Sequence, residues 1–234
     1  MNHILVTSRP WNDVLARRLQ EKTGHDFHLI TRKEDLTVER LRDISPRYVF
    51  FPHWSHIIPA EIYENHECIV FHMTDLPYGR GGSPLQNLII RGHQETQISA
   101  LRCVAELDAG PIYLKRPLGL DGAACEIFSR ANDIMENMIE TLIREQPEPI
   151  PQQGEVTVFQ RRKPAESALA KAAIETLTDF FDFIRMLDAE GYPKAFVELH
   201  GHKIEFSRVQ FEHDKLSGTF VIHVGNSISE STGS

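Results

Sequence analysis

Four short apolar runs, Ile4 to Thr7, Phe27 to Thr31, Tyr48 to Phe51 and Cys68 to Phe71, recur through the N-terminal third of the chain with helix-patterned stretches between them. Runs this short that are apolar throughout, rather than alternating with polar residues, are strands buried on both faces. Between them, Leu15, Leu19 and Lys22 fall at helical spacing and end at Gly24, and Val38, Leu41 and Ile44 follow Thr37 as a helix cap. Strands alternating with helices build a parallel sheet with right-handed crossovers. In an open sheet of this kind ligands sit beyond the carboxyl ends of the strands. That edge is reached by Pro52-His53-Trp54-Ser55-His56 after the third run and by His72 after the fourth.

Further on, Pro84 opens a helix with Ser83 as its N-cap and Leu85, Leu88 and Ile89 as its apolar face. Gln97 to Ala105 reads as a strand with Ile112 to Arg116 as its antiparallel neighbour, and Gly122 to Glu145 carries Ile127, Ile134, Met138 and Leu142 on one face of a long helix. The fold class is therefore α/β, a Rossmann-like, mostly parallel sheet with helices on both faces. The prolines from Pro147 to Pro151 mark the end of a main domain spanning 1–150. Residues 151–224 are expected to form a small extension, in which Thr178 caps a helix and Ala195 to Leu199 pairs with Lys203 to Val209 as a β-hairpin. Residues 225–234, rich in Ser, Gly and Glu, are expected to be a disordered tail. The hairpin's apolar residues, Phe196, Val197, Leu199, Ile204 and Phe206, exceed what a two-stranded ribbon buries, so it either packs on the main domain or forms a homodimer.

A formal net charge of −8 argues against a protein built to grip a nucleic-acid backbone. Three widely spaced cysteines, Cys68, Cys103 and Cys125, form neither a disulfide framework nor a metal spacing. His200 and His202 flank Gly201 with no carboxylate or cysteine at ligand spacing, so no metal is expected. With neither an export signal nor a membrane span in sight, a cytoplasmic location is expected.

The chemistry concentrates in the Gly- and Pro-rich stretch His72 to Pro84 and in Leu107-Asp108-Ala109-Gly110-Pro111-Ile112. The pattern His-x-x-x-Leu-Pro-x-x-Arg-Gly-x-x-Pro at His72 to Pro84 resembles the formyltransferases that use 10-formyltetrahydrofolate, and the second stretch is similar to that family's other signature. Asp108 lies thirty-six residues after His72, the spacing the resemblance requires. The resemblance makes these two residues partners across an active site. It departs at Val70, where the family has asparagine, an oxyanion donor that valine cannot replace with its side chain. Asn87 is the candidate substitute, with a backbone amide or the Thr74 hydroxyl as competitors.

Formyl transfer needs a neutral amine as nucleophile, a donor for the oxyanion that develops, and an acceptor for the amine proton. An imidazole beside a carboxylate can supply both functions. By the same resemblance the pterin of the folate would lie against Trp54, Ile57, Val104, Glu106 and Leu107. Against a phosphorylated acceptor arginine offers a bidentate fork and an indole a stacking face, so Arg9, Trp11 and Arg80, with Thr74 and Tyr78, are the residues expected to meet it. Arg161, Arg162 and Lys163 read as a solvated linker.

Three acceptors and one reading without transfer fit to different degrees. Methionyl-tRNA calls for a longer and more basic chain, and glycinamide ribonucleotide for a compact enzyme without the C-terminal hairpin. A nucleotide-linked amino sugar agrees best. The wording of His72 to Pro84 is most similar to sugar N-formyltransferases of pseudaminic-acid type pathways, which act on UDP-4-amino-4,6-dideoxy-N-acetyl-altrosamine. With Val70 in place of asparagine, a formyl-folate hydrolase or a folate-binding module without turnover is the remaining alternative.

Overall fold

The computed structural model describes residues 1–8 and 13–224, so Arg9, Trp11 and the tail from Gly225 lie outside the described residues. Six strands form the main sheet in the order β2-β1-β3-β4-β6-β7. They are β1 (Asn2–Val6), β2 (Asp26–Ile30), β3 (Tyr48–Phe51), β4 (Cys68–His72), β6 (Glu95–Arg102) and β7 (Ile112–Gly119). The first four are mutually parallel, and β6 and β7 join antiparallel. The fold class and the antiparallel pair are those expected from the sequence.

The helices α1 (Asp13–Thr23), α2 (Val38–Ile44), α3 (Ala60–Tyr63), α4 (Pro84–Ile90) and α5 (Ala124–Glu145) cover the sheet. Thr37 caps α2 by accepting a hydrogen bond from the Arg40 amide at 3.2 Å, and Gly24, at φ 68°, ends α1. Ser83 does precede α4, but at φ 51° its hydroxyl does not cap that helix. It accepts instead from the Arg162 amide at 3.1 Å, tying the helix start to a distant segment.

Successive residues of each strand face opposite sides of the sheet, and the two cores follow from that alternation. Leu5, Phe50, Ile69 and Phe71 enter one cluster with α1, α4 and α5. Ile4, Val6, Val49, Phe51 and Cys68 enter the other, with Leu41 of α2 and Ile62 of α3, and Val70 and Trp54 pack at its margin. Val70 and His72, two residues apart on β4, therefore share the face of the second cluster.

The larger core runs past the prolines at 147–151. Phe159, Leu169, Phe183, Ile184, Met186 and Ala195 are buried in the same cluster as the central strands. A short parallel pair, β5 (Arg80–Gly81) with β8 (Val158–Phe159), joins this later segment to the loop after β4. The helix of the extension, α6 (Leu177–Arg185), is capped by Thr176 and not by Thr178. Only Thr176 has a carboxylate three residues on, Asp179, to complete the reciprocal box.

The expected hairpin is part of a three-stranded antiparallel sheet, β9 (Ala195–Leu199), β10 (His202–Glu212) and β11 (Lys215–His223), with β10 in the middle. Val197, Phe206 and Val209 pack onto the main core, whereas Phe220, Val221 and Ile222 of the edge strand β11 are exposed.

Candidate active site

His72 is the last residue of β4 and is buried. Its Nε2 lies 2.8 Å from the Gly79 carbonyl. A carbonyl can only accept, so Nε2 carries the hydrogen, and in the neutral ring Nδ1 has a free lone pair. Nδ1 faces the Asp108 carboxylate, 3.6 Å from Oδ2. The structure thus brings the two predicted partners together, with two acceptors facing each other across a gap that a donor from a substrate can bridge.

Placing Asp108 there takes more than strand pairing. Arg102, the end of β6, is opposite Ile69, while His72 is opposite Ser99. The loop after β6 therefore starts three strand positions, about 10 Å, short of His72, and must fold back to it. Gly110 permits this return, since a Cβ at that position would lie 1.8 Å from the Arg102 carbonyl oxygen. Asp108 itself adopts φ 53°, a left-handed conformation that costs about 1–2 kcal/mol outside glycine. Its Oδ2 accepts the Gly81 amide at 2.9 Å, and its carbonyl accepts from Gln152 Nε2 at 2.7 Å. Gly81 offers that amide from φ 102°, close against the Phe159 carbonyl, where a side chain would not fit.

Several residues expected at the ligand are engaged with the scaffold. The Asn87 amide nitrogen donates to the carbonyls of Gly82, Ser83 and Gln160, and its oxygen accepts from Arg91. No N–H remains for an oxyanion, so the expected substitute for the asparagine is taken up in holding the start of α4. Thr74 is fully buried: its hydroxyl reaches the Gly79 carbonyl at 3.4 Å, and its own carbonyl accepts from Ser99. The Tyr78 hydroxyl pairs with His93 at 3.0 Å, and its ring meets Phe159 edge-on.

Arg80 is not a free fork for phosphate. Its Nε and Nη2 donate to Gln152 Oε1 at 3.1 and 2.9 Å, and its Nη1 donates to Glu106 Oε1 at 2.9 Å. Arg162 is not a solvated linker residue either: it is half-buried, lies over the Phe183 ring, and its pKa is lowered by burial. Gln152, absent from the sequence expectation, proves central. A polar residue directly after a proline run was the available signal.

On the side of Val70, the wall is apolar. Val70, Trp54 and Cys103 pack at the margin of one cluster, so where the family has asparagine this chain continues a hydrophobic surface. Burial pushes the Cys103 thiol up to about 11, with the Asp108 charge adding to the shift, so it carries little thiolate at neutral pH. The Trp54 indole N–H is buried without a hydrogen-bond partner. Ile57 is 88% exposed and Leu107 67% exposed, while Val104 is half-buried beside Gly110. Among the described residues no cluster of His, Cys, Asp and Glu is arranged to hold a metal, and no helix is long and apolar enough to cross a membrane.

A solved structure named as a methionyl-tRNA formyltransferase from Clostridium thermocellum matches this fold with a TM-score of 0.92 at 47% identity, over 96% of this chain and 100% of that one. The chain belongs to the formyltransferase family. Formyltransferases of this kind use formyl-tetrahydrofolate as donor. A family model described as methionyl-tRNA formyltransferase, C-terminal domain, matches residues 164–223, the part containing α6 and the three-stranded sheet. The methionyl-tRNA formyltransferase of Thermodesulfovibrio yellowstonii is 31% identical over 133 residues, 53% of this chain. The match spans only 43% of that relative's length. A sugar N-formyltransferase from a Shewanella species shares the fold, with a TM-score of 0.70 and 17% identity over 88% of this chain and 96% of that one.

Proposed function

We propose that this formyltransferase moves the formyl group of 10-formyltetrahydrofolate to the amine of a small, anionic, nucleotide-linked amino sugar, UDP-4-amino-4,6-dideoxy-N-acetyl-altrosamine being the specific candidate. The observation that carries the chemistry is the His72 Nδ1 to Asp108 Oδ2 approach of 3.6 Å. With Nε2–H fixed on the Gly79 carbonyl, Nδ1 is the ring atom able to take a proton from the attacking amine. Asp108 then stabilises the imidazolium, whose Nδ1–H can donate to the developing oxyanion and, as the tetrahedral adduct collapses with cleavage of the formyl C–N10 bond, pass the proton to the departing N10 of tetrahydrofolate. Because the Val70 side chain offers no donor, this hydrogen bond has no partner from the asparagine position. Losing one such donor elsewhere costs about 3 kcal/mol. Trp54, Ile57 and Val104, with the backbone of Glu106 and Leu107, would hold the pterin.

A small acceptor is supported by the net charge of −8, which disfavours a polyanion such as tRNA. The names of the relatives favour methionyl-tRNA as the second reading. One experiment separates them: purified protein, 10-formyltetrahydrofolate, a panel of UDP- and dTDP-linked 4-amino sugars, and methionyl-tRNA in parallel, with tetrahydrofolate release and product mass followed. A formylated sugar is the expected product. Formylated methionyl-tRNA with no sugar product would replace the first reading by the second, and folate turnover independent of any amine would identify a hydrolase.

A further inference from the structure

Gln152 uses every hydrogen-bonding position of its carboxamide. Nε2 donates to the Asp108 carbonyl at 2.7 Å and to the Gly110 carbonyl at 2.9 Å, and Oε1 accepts both Nε and Nη2 of Arg80. Arg80 in turn holds Glu106, two residues before Asp108, through Nη1. The turn bearing the aspartate is closed internally by the Ala109 amide on the Glu106 carbonyl at 3.3 Å. Gln152 and Arg80 therefore brace it from both ends. This turn belongs to the loop that folds back from the end of β6, where no strand partner fixes its conformation.

We propose that Gln152, with Arg80, is a positioning residue for the transfer reaction: it fixes the main chain at Asp108 so that the carboxylate stays on the Gly81 amide and against His72. The inference rests on reading His72 and Asp108 as the reacting pair. A neutral amide suits the role, because only a side chain with both a donor edge and an acceptor edge can join two carbonyls to a guanidinium. Glutamate at this position would keep the arginine and oppose the carbonyls.

The Gly81 amide reports on the carboxylate directly, since it donates to Asp108 Oδ2 at 2.9 Å. Its neighbours are internal controls: the Arg80 amide donates to the Thr157 carbonyl and the Gly82 amide to the Phe159 carbonyl, at the two ends of the β5–β8 pair. Amide hydrogen exchange should be measured on the full chain for wild type, Gln152→Leu and Gln152→Glu, the second guarding against poor folding of the first. Exchange at Gly81 should rise about tenfold in either variant, the loss expected when one hydrogen bond's net stabilisation disappears, with Arg80 and Gly82 changing less than about twofold. Unchanged exchange at Gly81, or an equal rise at all three amides, would overturn the positioning role, the second outcome signalling general loosening.

Kinetics add a second readout. Gln152→Leu should lower kcat about tenfold or more, a larger change than any rise in the KM for the formyl donor, whose pterin would rest on the same turn, and should cost nothing further in kcat in an Asp108→Ala background. Multiplicative losses in the double variant would mean that Gln152 acts elsewhere. If the wild type transfers formyl to none of the acceptors, the proposed function fails while the exchange measurement still decides the role of Gln152.

Discussion

Acidification should destabilise this fold through one residue far from the site. His3, in β1, is fully buried, stacked on His25 and Tyr48, and tilted against Phe27 and Phe50. Its Nε2 meets His25 Nδ1 at 3.0 Å, and its Nδ1 has no hydrogen-bond partner. Burial, together with the positive charge of His25 and Arg47 nearby, lowers its pKa from 6.5 to about 4. In the unfolded chain the same imidazole binds a proton below 6.5, so between 6.5 and 4 the unfolded state holds more protons and stability falls with pH. A shift of this size corresponds to about 3 kcal/mol, present above 6.5 and lost by the time pH reaches 4. That is a large share of the 5–15 kcal/mol that typically holds a domain together. Urea unfolding of wild type and His3→Phe, followed by circular dichroism at steps from pH 7.5 to 4, tests it. Phenylalanine keeps an aromatic ring in the stack and cannot titrate, so the two stabilities should diverge by about 3 kcal/mol on acidification, other titrating groups being common to both. Formyl transfer at pH 7.5 should be unchanged, because His3 pairs with Phe27 and Tyr48 at the strand starts, opposite the edge that carries His72. Parallel pH dependences in the two proteins would refute the argument.

Asp108→Asn should keep the fold, since the Gly81 amide still finds an oxygen, yet lose about two to four orders of magnitude in kcat, measured by tetrahydrofolate release. Gly110→Ala puts a methyl group against the Arg102 carbonyl and should destabilise by about 1–3 kcal/mol in thermal or urea unfolding; activity should fall further than stability because the displaced turn carries Asp108. The exposed Phe220, Val221 and Ile222 on edge strand β11 favour pairing with a second copy. Sedimentation velocity should show a dimer that Val221→Lys converts to monomer, and a monomeric wild type would remove that expectation.

The main sheet was legible because strands buried on both faces must be apolar throughout, and Tyr48–Phe51 occupies the residues its apolar run marks out. The boundaries that misled were those where two residues of the same type compete. Thr176 and Thr178 are equally good caps by identity, and only the carboxylate at Asp179 selects between them. Ser83 has the composition of a cap but stands at φ 51°, with its hydroxyl turned to Arg162. The third strand of the C-terminal sheet, Lys215–His223, escaped because seven of its nine residues are exposed on an open edge, where pattern and burial part company.

At the site, the approach of His72 to Asp108 was legible because a signature fixes their separation. The polar residues between them were not, for a reason general to irregular segments. The stretch from Met73 to Ser83 contains only a two-residue strand, so most of its backbone groups must find partners outside regular structure. Asn87 satisfies the carbonyls of Gly82 and Ser83, Thr74 and His72 share that of Gly79, and Lys115 takes that of Leu76. Arg80 looked like a phosphate fork, but its charge balances Glu106 and its geometry serves Gln152. A polar side chain in such a loop answers first to the backbone around it, and only the remainder is available to a ligand. In this chain the remainder includes the His72 Nδ1 facing Asp108.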